Sequence, residues 1–164
     1  MTKLELKQAL ETILFVATLP LSPKQLAEII GEVETKEIRE MVAELNLSYE
    51  KTKRVFRIDP VADGLQMHTL PEHKKWAQSL ETVKTIKLSP AVMETLAIIA
   101  YKQPLTRAGI EFIRGVDSSH TIRRLMQQKL VRIVGREMLP GRPGLYGTTK
   151  GFLEVFGLTR LKYL

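Results

Sequence analysis

Apolar residues first recur along the chain at helical spacing: Leu6, Leu10, Ile13, Leu14 and Ala17 form one stripe of a 3.6-residue period. Pro20 ends that pattern, and Ser22 followed by Pro23 supplies an N-cap with proline at the first helical position. The second helix so begun runs to Gly31, a residue suited to a left-handed C-cap. A third helix is predicted over about residues 34–51. The period then changes from 3.6 to 2. Val55-Phe56-Arg57-Ile58 and Leu65-Gln66-Met67-His68-Thr69 read as strands around a turn ending in Asp63-Gly64. A short helix near residues 71–80 closes the unit.

The same order then returns. Ser89-Pro90 start a helix that is apolar on most of its surface (Val92, Met93, Leu96, Ala97, Ile99, Ala100) and is expected to be buried. Thr106 is placed to cap a second helix ending at Gly115. Asp117 or Ser118 caps a third, with Ile122, Leu125 and Met126 facing inward. Strands over 130–134 and 145–148 follow, joined by a loop containing Pro140, Gly141, Arg142, Pro143 and Gly144. Phe152 and Phe156 lie on a final helical turn.

The likeness between the halves extends to residue identity. The stretch Leu10 to Ala17 (LETILFVA) returns as Met93 to Ala100 (METLAIIA), Pro20-Leu21-Ser22 returns as Pro104-Leu105-Thr106, and Leu26…Ile29…Gly31 as Ile110…Ile113…Gly115. Seven positions are identical at an offset of 83 to 84. Helix composition alone explains the apolar matches, but not Pro and Gly at matched break points, so the chain reads as a duplicated unit. Two helices around a tight turn, then a third helix and a hairpin, make a winged helix-turn-helix. The expected fold is mainly α with small β-hairpins (α+β): two tandem winged helices over residues 1–80 and 89–164, joined by a linker at 81–88.

Composition narrows the chemistry. With 44% apolar and 26% charged residues, the 164-residue chain has enough apolar material for a core. It contains no cysteine, which excludes disulfides, thiolate catalysis and zinc sites built on sulfur. Its longest apolar run, Leu96 to Tyr101, is six residues, against the ~20 that span a bilayer. The amino terminus mixes charge with leucine and has no apolar signal core, so a soluble cytoplasmic protein is expected. His68 and His73 are five apart with Pro71 between them, the wrong spacing for a ligand pair on one helix face. Gly141-x-x-Gly144-x-x-Gly147 lacks the Gly-Lys-Ser/Thr of a phosphate loop and carries a proline inside it. Glu32 and Glu34 lie at a helix boundary beside no candidate base. No catalytic, cofactor-binding or metal-ligating residue is expected, no small-molecule substrate, and no enzyme.

Charge changes the picture more. Of the net +7, residues 1–79 contribute −1 (11 Lys/Arg against 12 Asp/Glu) and residues 80–164 contribute +8 (14 against 6). Such asymmetry implies different partners for the two halves. On the third helix of the second unit, His120, Arg123, Arg124 and Gln127 lie opposite Ile122, Leu125 and Met126. Arg123 and Arg124 are candidates for weak DNA contact, supported by Arg132, Arg136 and Arg142 on the wing. A solvated basic face or an acidic protein partner fits these residues equally. The corresponding helix of the first unit carries Glu34, Glu37, Glu40, Glu44 and Glu50 against three cations. That face would repel phosphates, which favours a protein-binding role and counts against the alternative of a winged-helix transcription regulator.

The segment from Leu88 to Arg107 (LSPAVMETLAIIAYKQPLTR) closely resembles the signature of the segregation and condensation protein B family. So do Ile113-Arg-Gly-Val116, Pro140-Gly-Arg-Pro143, Leu145-Tyr-Gly-Thr-Thr149, Phe152-Leu153 and Phe156-Gly-Leu158. The amino-terminal match, Leu6 through Ala17 and Leu26-Ala27-Glu28, is looser. Many members carry a longer acidic tail, whereas this chain stops at Tyr163-Leu164. The resemblance implies a non-enzymatic adaptor that forms homodimers and binds a kleisin subunit, segregation and condensation protein A. Through it the adaptor would join a structural-maintenance-of-chromosomes (SMC) ATPase on the nucleoid, in chromosome condensation and partition at cell division. The homodimer is expected through the first unit, where Phe15 and Val16 add apolar surface beyond the core stripe, unless one of them packs under the hairpin. The kleisin contact is expected in the second unit at Arg136, Arg142 and Tyr146, on or beside a turn fixed by two prolines. Tyr146 has the alternative of packing into its own core.

Overall fold

Thr2 opens the first helix, α1 (Lys3–Val16), with a capping box: its hydroxyl accepts from the Glu5 N–H, and its own N–H donates to Glu5 Oε2 at 2.7 Å. The computed structural model describes residues 1–31, 33–79 and 88–163, and the chain divides into two compact units, Met1–Lys84 and Thr85–Leu164. In the first unit Ser22 and Gln25 repeat the capping box at α2 (Pro23–Ile30), which Gly31 ends at φ 71°. At α3 (Thr35–Lys51) the Glu34 N–H donates to Glu37 Oε2. Leu10 and Leu14 of α1, Leu26 of α2, and Ile38, Met41 and Leu45 of α3 form the core.

A hairpin completes this unit: β1 (Phe56–Val61) pairs antiparallel with β2 (Gly64–Thr69). The first strand continues through Pro60 to Val61, three residues beyond the predicted end at Ile58. The turn is Ala62-Asp63, both at positive φ (49° and 62°), the signs of a two-residue type I′ hairpin. A proline is tolerated because β1 is an edge strand whose outer N–H groups face no ladder partner. Asn46 on α3 holds the hairpin down, donating to Ile58 O at 2.8 Å and accepting from the Ile58 N–H at 3.0 Å. Leu21 and Leu65 exchange backbone hydrogen bonds at 3.0 and 2.8 Å, stitching the α1–α2 connection to β2. The closing segment is a 3-10 turn, Pro71–His73, followed by α4 (Lys74–Gln78). Residue 80 and linker residues 81–87 lie outside the described residues.

The second unit runs α5 (Pro90–Lys102), β3 (Leu105–Thr106), α6 (Arg107–Arg114), α7 (Ser119–Gln127), β4 (Val131–Arg136), β5 (Gly144–Thr148) and α8 (Lys150–Val155). Its sheet has three strands in the order β3-β5-β4. The two-residue β3 escapes sequence reading because so short a strand has no period. Thr106 caps α6 by accepting from the Gly109 N–H, and Gly115 ends it in the left-handed region. Each unit is thus three helices, an antiparallel hairpin and a short closing helix, a winged helix-turn-helix.

Burial corrects parts of the helical reading. On α5, Val92, Thr95, Leu96, Ile99 and Ala100 are buried, whereas Met93 and Ala97 face out. Met126 of α7 is also exposed, and only Ile122 and Leu125 reach the core. The sequence match of the opening helices does not superpose core on core, since buried Leu10 and Leu14 align with exposed Met93 and Ala97. The next helices agree better: Leu26 and Ile110 are both fully buried, and Gly31 and Gly115 both end their helices at φ 71°, although only Gly115 (ψ 7°, against 156° at Gly31) is in the left-handed helical region.

Candidate functional site

Between β4 and β5 the wing is held by its own backbone. The Arg142 N–H donates to Leu139 O at 2.8 Å, closing a turn over Pro140 and Gly141, and Gly141 lies at φ 81°, where a type II turn wants glycine. The Glu137 N–H donates to Pro143 O at 2.9 Å, and Arg136 Nη1 donates to Arg142 O at 3.1 Å. Arg136 therefore braces the tip, while the side chain of Arg142 projects from it and is exposed. Tyr146 sits half-buried in the middle of the sheet, opposite Leu105 on one side and Ile133 on the other. The hairpin thus brings Arg136 and Arg142 together at its tip and places Tyr146 nearer its base.

Behind the hairpin, Gln103 Oε1 accepts from the Thr148 N–H at 2.8 Å, and Gln103 Nε2 donates to Ala100 O at 3.1 Å. Gly147 makes room for this, because a Cβ there would lie 2.8 Å from Gln103 Oε1 and 2.9 Å from Val134 Cγ1. The wing has a rigid base and a braced tip.

On α7, Arg123 is exposed but Arg124 is half-buried, so the two candidate DNA residues are not equivalent. The α6–α7 turn is neutralised internally. Glu111 pairs with Arg107 and accepts from the Ser118 N–H, and Arg114 reaches Glu94 at 3.2 Å. Ser118 starts α7 by backbone position alone, while Asp117 accepts from the hydroxyl and N–H of Ser119. The Ser119 hydroxyl is the main reason the Asp117 carboxyl is held below its ordinary range. Phe112, 89% exposed on α6, is an apolar surface residue that sequence reading passed over. Its signal was there: it lies off the face defined by buried Ile110.

In the first unit Phe15 and Val16 are 74% and 71% exposed, so neither packs under the hairpin. With Leu19 they crown the C-terminal end of α1, beside a concavity lined by Ile13, Val16, Ala17 and Leu21. Elsewhere in this unit Lys3 and Lys7 pair with Glu44 and Arg57 with Asp59, and His68 Nε2 lies 2.9 Å from Asp59 Oδ2. Hydrogen bonds from Lys3 and then Lys7 hold the Glu44 carboxyl low. Among the described residues no cluster of metal-ligating side chains occurs, and no helix is long and apolar enough to cross a membrane.

Two curated relatives, both segregation and condensation protein B, resemble the chain over nearly its whole length. The one from Syntrophotalea carbinolica is 43% identical across 100% of this chain and 83% of that protein. The one from Moorella thermoacetica is 46% identical across 97% of this chain and 81% of that protein. Among solved structures, a dimer of the ScpB N-terminal domain complexed with ScpA peptide matches 55% of this chain and 100% of that one, at 24% identity and a TM-score of 0.44. The family model described as segregation and condensation complex subunit ScpB matches residues 8–164. On that match and those identities, the chain belongs to the ScpB family of segregation and condensation complex subunits.

Proposed function

We propose that the protein is a non-enzymatic adaptor that dimerises through its first winged helix and grips a kleisin subunit, segregation and condensation protein A, with its second. Through the kleisin it joins an SMC ATPase on the nucleoid, and so serves chromosome condensation and partition at cell division. The family match over residues 8–164 carries this reading. The molecule's own features agree with it: two winged helices, exposed apolar residues at the end of α1, and a braced wing whose tip presents Arg142. Residues 1–80 are assigned to dimerisation through Phe15 and Val16, and residues 89–164 to the kleisin through Arg136, Arg142 and Tyr146.

Calorimetric titration with the kleisin from the same genome tests it. Arg142→Ala should weaken binding by about 1–2 kcal/mol with an unchanged melting temperature, since the exposed side chain supports nothing within its own fold. Unaltered affinity of an Arg136→Ala, Arg142→Ala double variant would move the contact off the wing.

A further inference from the structure

The acids and bases of the second unit are unevenly matched. Glu94 and Glu111 are taken by Arg114 and Arg107, and Asp117 by the start of α7. Among the described residues, Arg123, Lys129, Arg132 and Lys150 take part in no salt bridge, and all four are exposed. Three of them are tied to one corner of the fold. The carbonyl of Lys129 accepts the Thr149 hydroxyl, which itself accepts from the Phe152 N–H, so Lys129 and Lys150 flank the same junction. Arg132 and Lys150 line a single concavity with Thr148, Thr149, Leu153 and Leu161. Arg123 stands on the exposed face of α7, six residues before Lys129, which lies just past the end of that helix. Glu154, half-buried on α8, is the acid nearest in sequence.

From this cluster we infer that the α7–β4 turn, the base of the hairpin and the start of α8 form a surface that tracks the phosphate backbone of duplex DNA. The hydroxyls beside these cations are occupied, Thr149 by Lys129 and Phe152, and Thr148 by Gln103, so none is left to read bases. What remains is positive charge on long, flexible side chains, which suits closely spaced phosphates and carries no sequence preference. A protein partner would want an apolar anchor as well. The most exposed apolar side chains of this unit, Phe112 and Met138, lie on α6 and in the wing loop, outside the concavity, and of the two leucines that line it Leu153 is buried and Leu161 is 39% exposed. The surface is separate from the wing tip assigned to the kleisin, so either assignment can fail alone.

The test is fluorescence anisotropy of the full-length protein with a labelled duplex of random sequence, over a salt series. Four neutralised phosphates give a log–log salt slope of about −3 to −4, hence roughly a 100-fold loss of affinity between about 50 and 200 mM salt. Removing Arg132 and Lys150 together (R132Q/K150Q) should make the slope shallower by about 2, and so should R123Q/K129Q. The same charge change on α3, R39Q/K51Q, should leave the slope unaltered. Melting curves identical to wild type keep the comparison to binding. The inference is overturned if wild type fails to bind at about 50 mM salt, or if the α3 control loses as much as the other two variants. It is overturned also if R132Q/K150Q weakens kleisin binding while DNA affinity stays put, which would make the surface a protein interface.

Discussion

Tyr49 illustrates how one residue couples burial to pH. Its ring is buried and meets Phe56 edge-on at 5.0 Å between centroids, while its hydroxyl donates to Glu11 Oε1 at 2.8 Å. Burial first, and then the bond to Glu11, push its ionisation well above the ordinary tyrosine value. An unfolded tyrosine releases its proton near pH 10, whereas the folded one holds it. The stabilisation is therefore complete below about pH 10 and is lost as pH rises beyond it, by up to about 1.4 kcal/mol per pH unit. Denaturant unfolding from pH 9 to pH 11, roughly spanning that value, should show this decline in the wild type and a shallower one in Tyr49→Phe. Equal slopes would assign the alkaline loss to other groups. Neither the bond to Glu11 nor the clamp of Asn46 on Ile58 could be read from sequence, because the partners lie 38 and 12 residues apart.

At the scale of elements, the hairpin of the first unit is seated by close backbone contact as well as by the Asn46 side chain. Gly64 opens β2 directly beneath the α1–α2 connection, and a Cβ there would lie 3.0 Å from the backbone atoms of Pro20 and Leu21. Backbone cannot rotate away, so Gly64→Ala must lift the hairpin off Leu21 and strain the Leu21–Leu65 bridge. A loss of about 1–3 kcal/mol in unfolding free energy is expected. Gly115→Ala, in the left-handed region at φ 71° and ψ 7° with nothing within 4 Å, should cost less, about 1 kcal/mol, from backbone strain alone. Chemical denaturation of both variants checks the ranking, and a larger loss at Gly115 would refute the seating argument. Sequence reading had Gly64 as the end of a turn, for its local propensity, and missed that another segment crosses above it.

For the whole molecule, the proposed dimer makes a prediction about assembly. Phe15 and Val16 lie adjacent at the end of α1 and point away from the core of their own unit. Burying two large apolar side chains is worth roughly 3–6 kcal/mol per protomer before the cost of association. Multi-angle light scattering of the full chain at about 10–50 µM should report a dimer, and a Phe15→Asp, Val16→Asp variant a monomer with a near-native melting curve. A dimer that survives both aspartates would place the interface on other surface of the unit.

Local chemistry settled what each segment becomes. Capping residues and glycines mark the helix ends at Ser22, Gly31, Thr106 and Gly115, and the change from period 3.6 to period 2 marks the hairpins, because these signals act within a few residues. The family was legible for the same reason, as runs of adjacent residues. The face each element buries was decided only when elements packed together. Met93, Ala97 and Met126 are as apolar as their buried neighbours, yet they stay exposed, and Pro60 stays in a strand because β2 pairs β1 along one edge only. The candidate surfaces divide in the same way. Excess positive charge in the second half is a property of the sequence, and so is the Arg107–Glu111 pair within one turn of α6, but that Arg114 is paired depends on how α5 brings Glu94 onto it from twenty residues away. Ion pairing, like burial, depends on distances of a few ångströms between residues far apart along the chain, and only the folded backbone sets those distances.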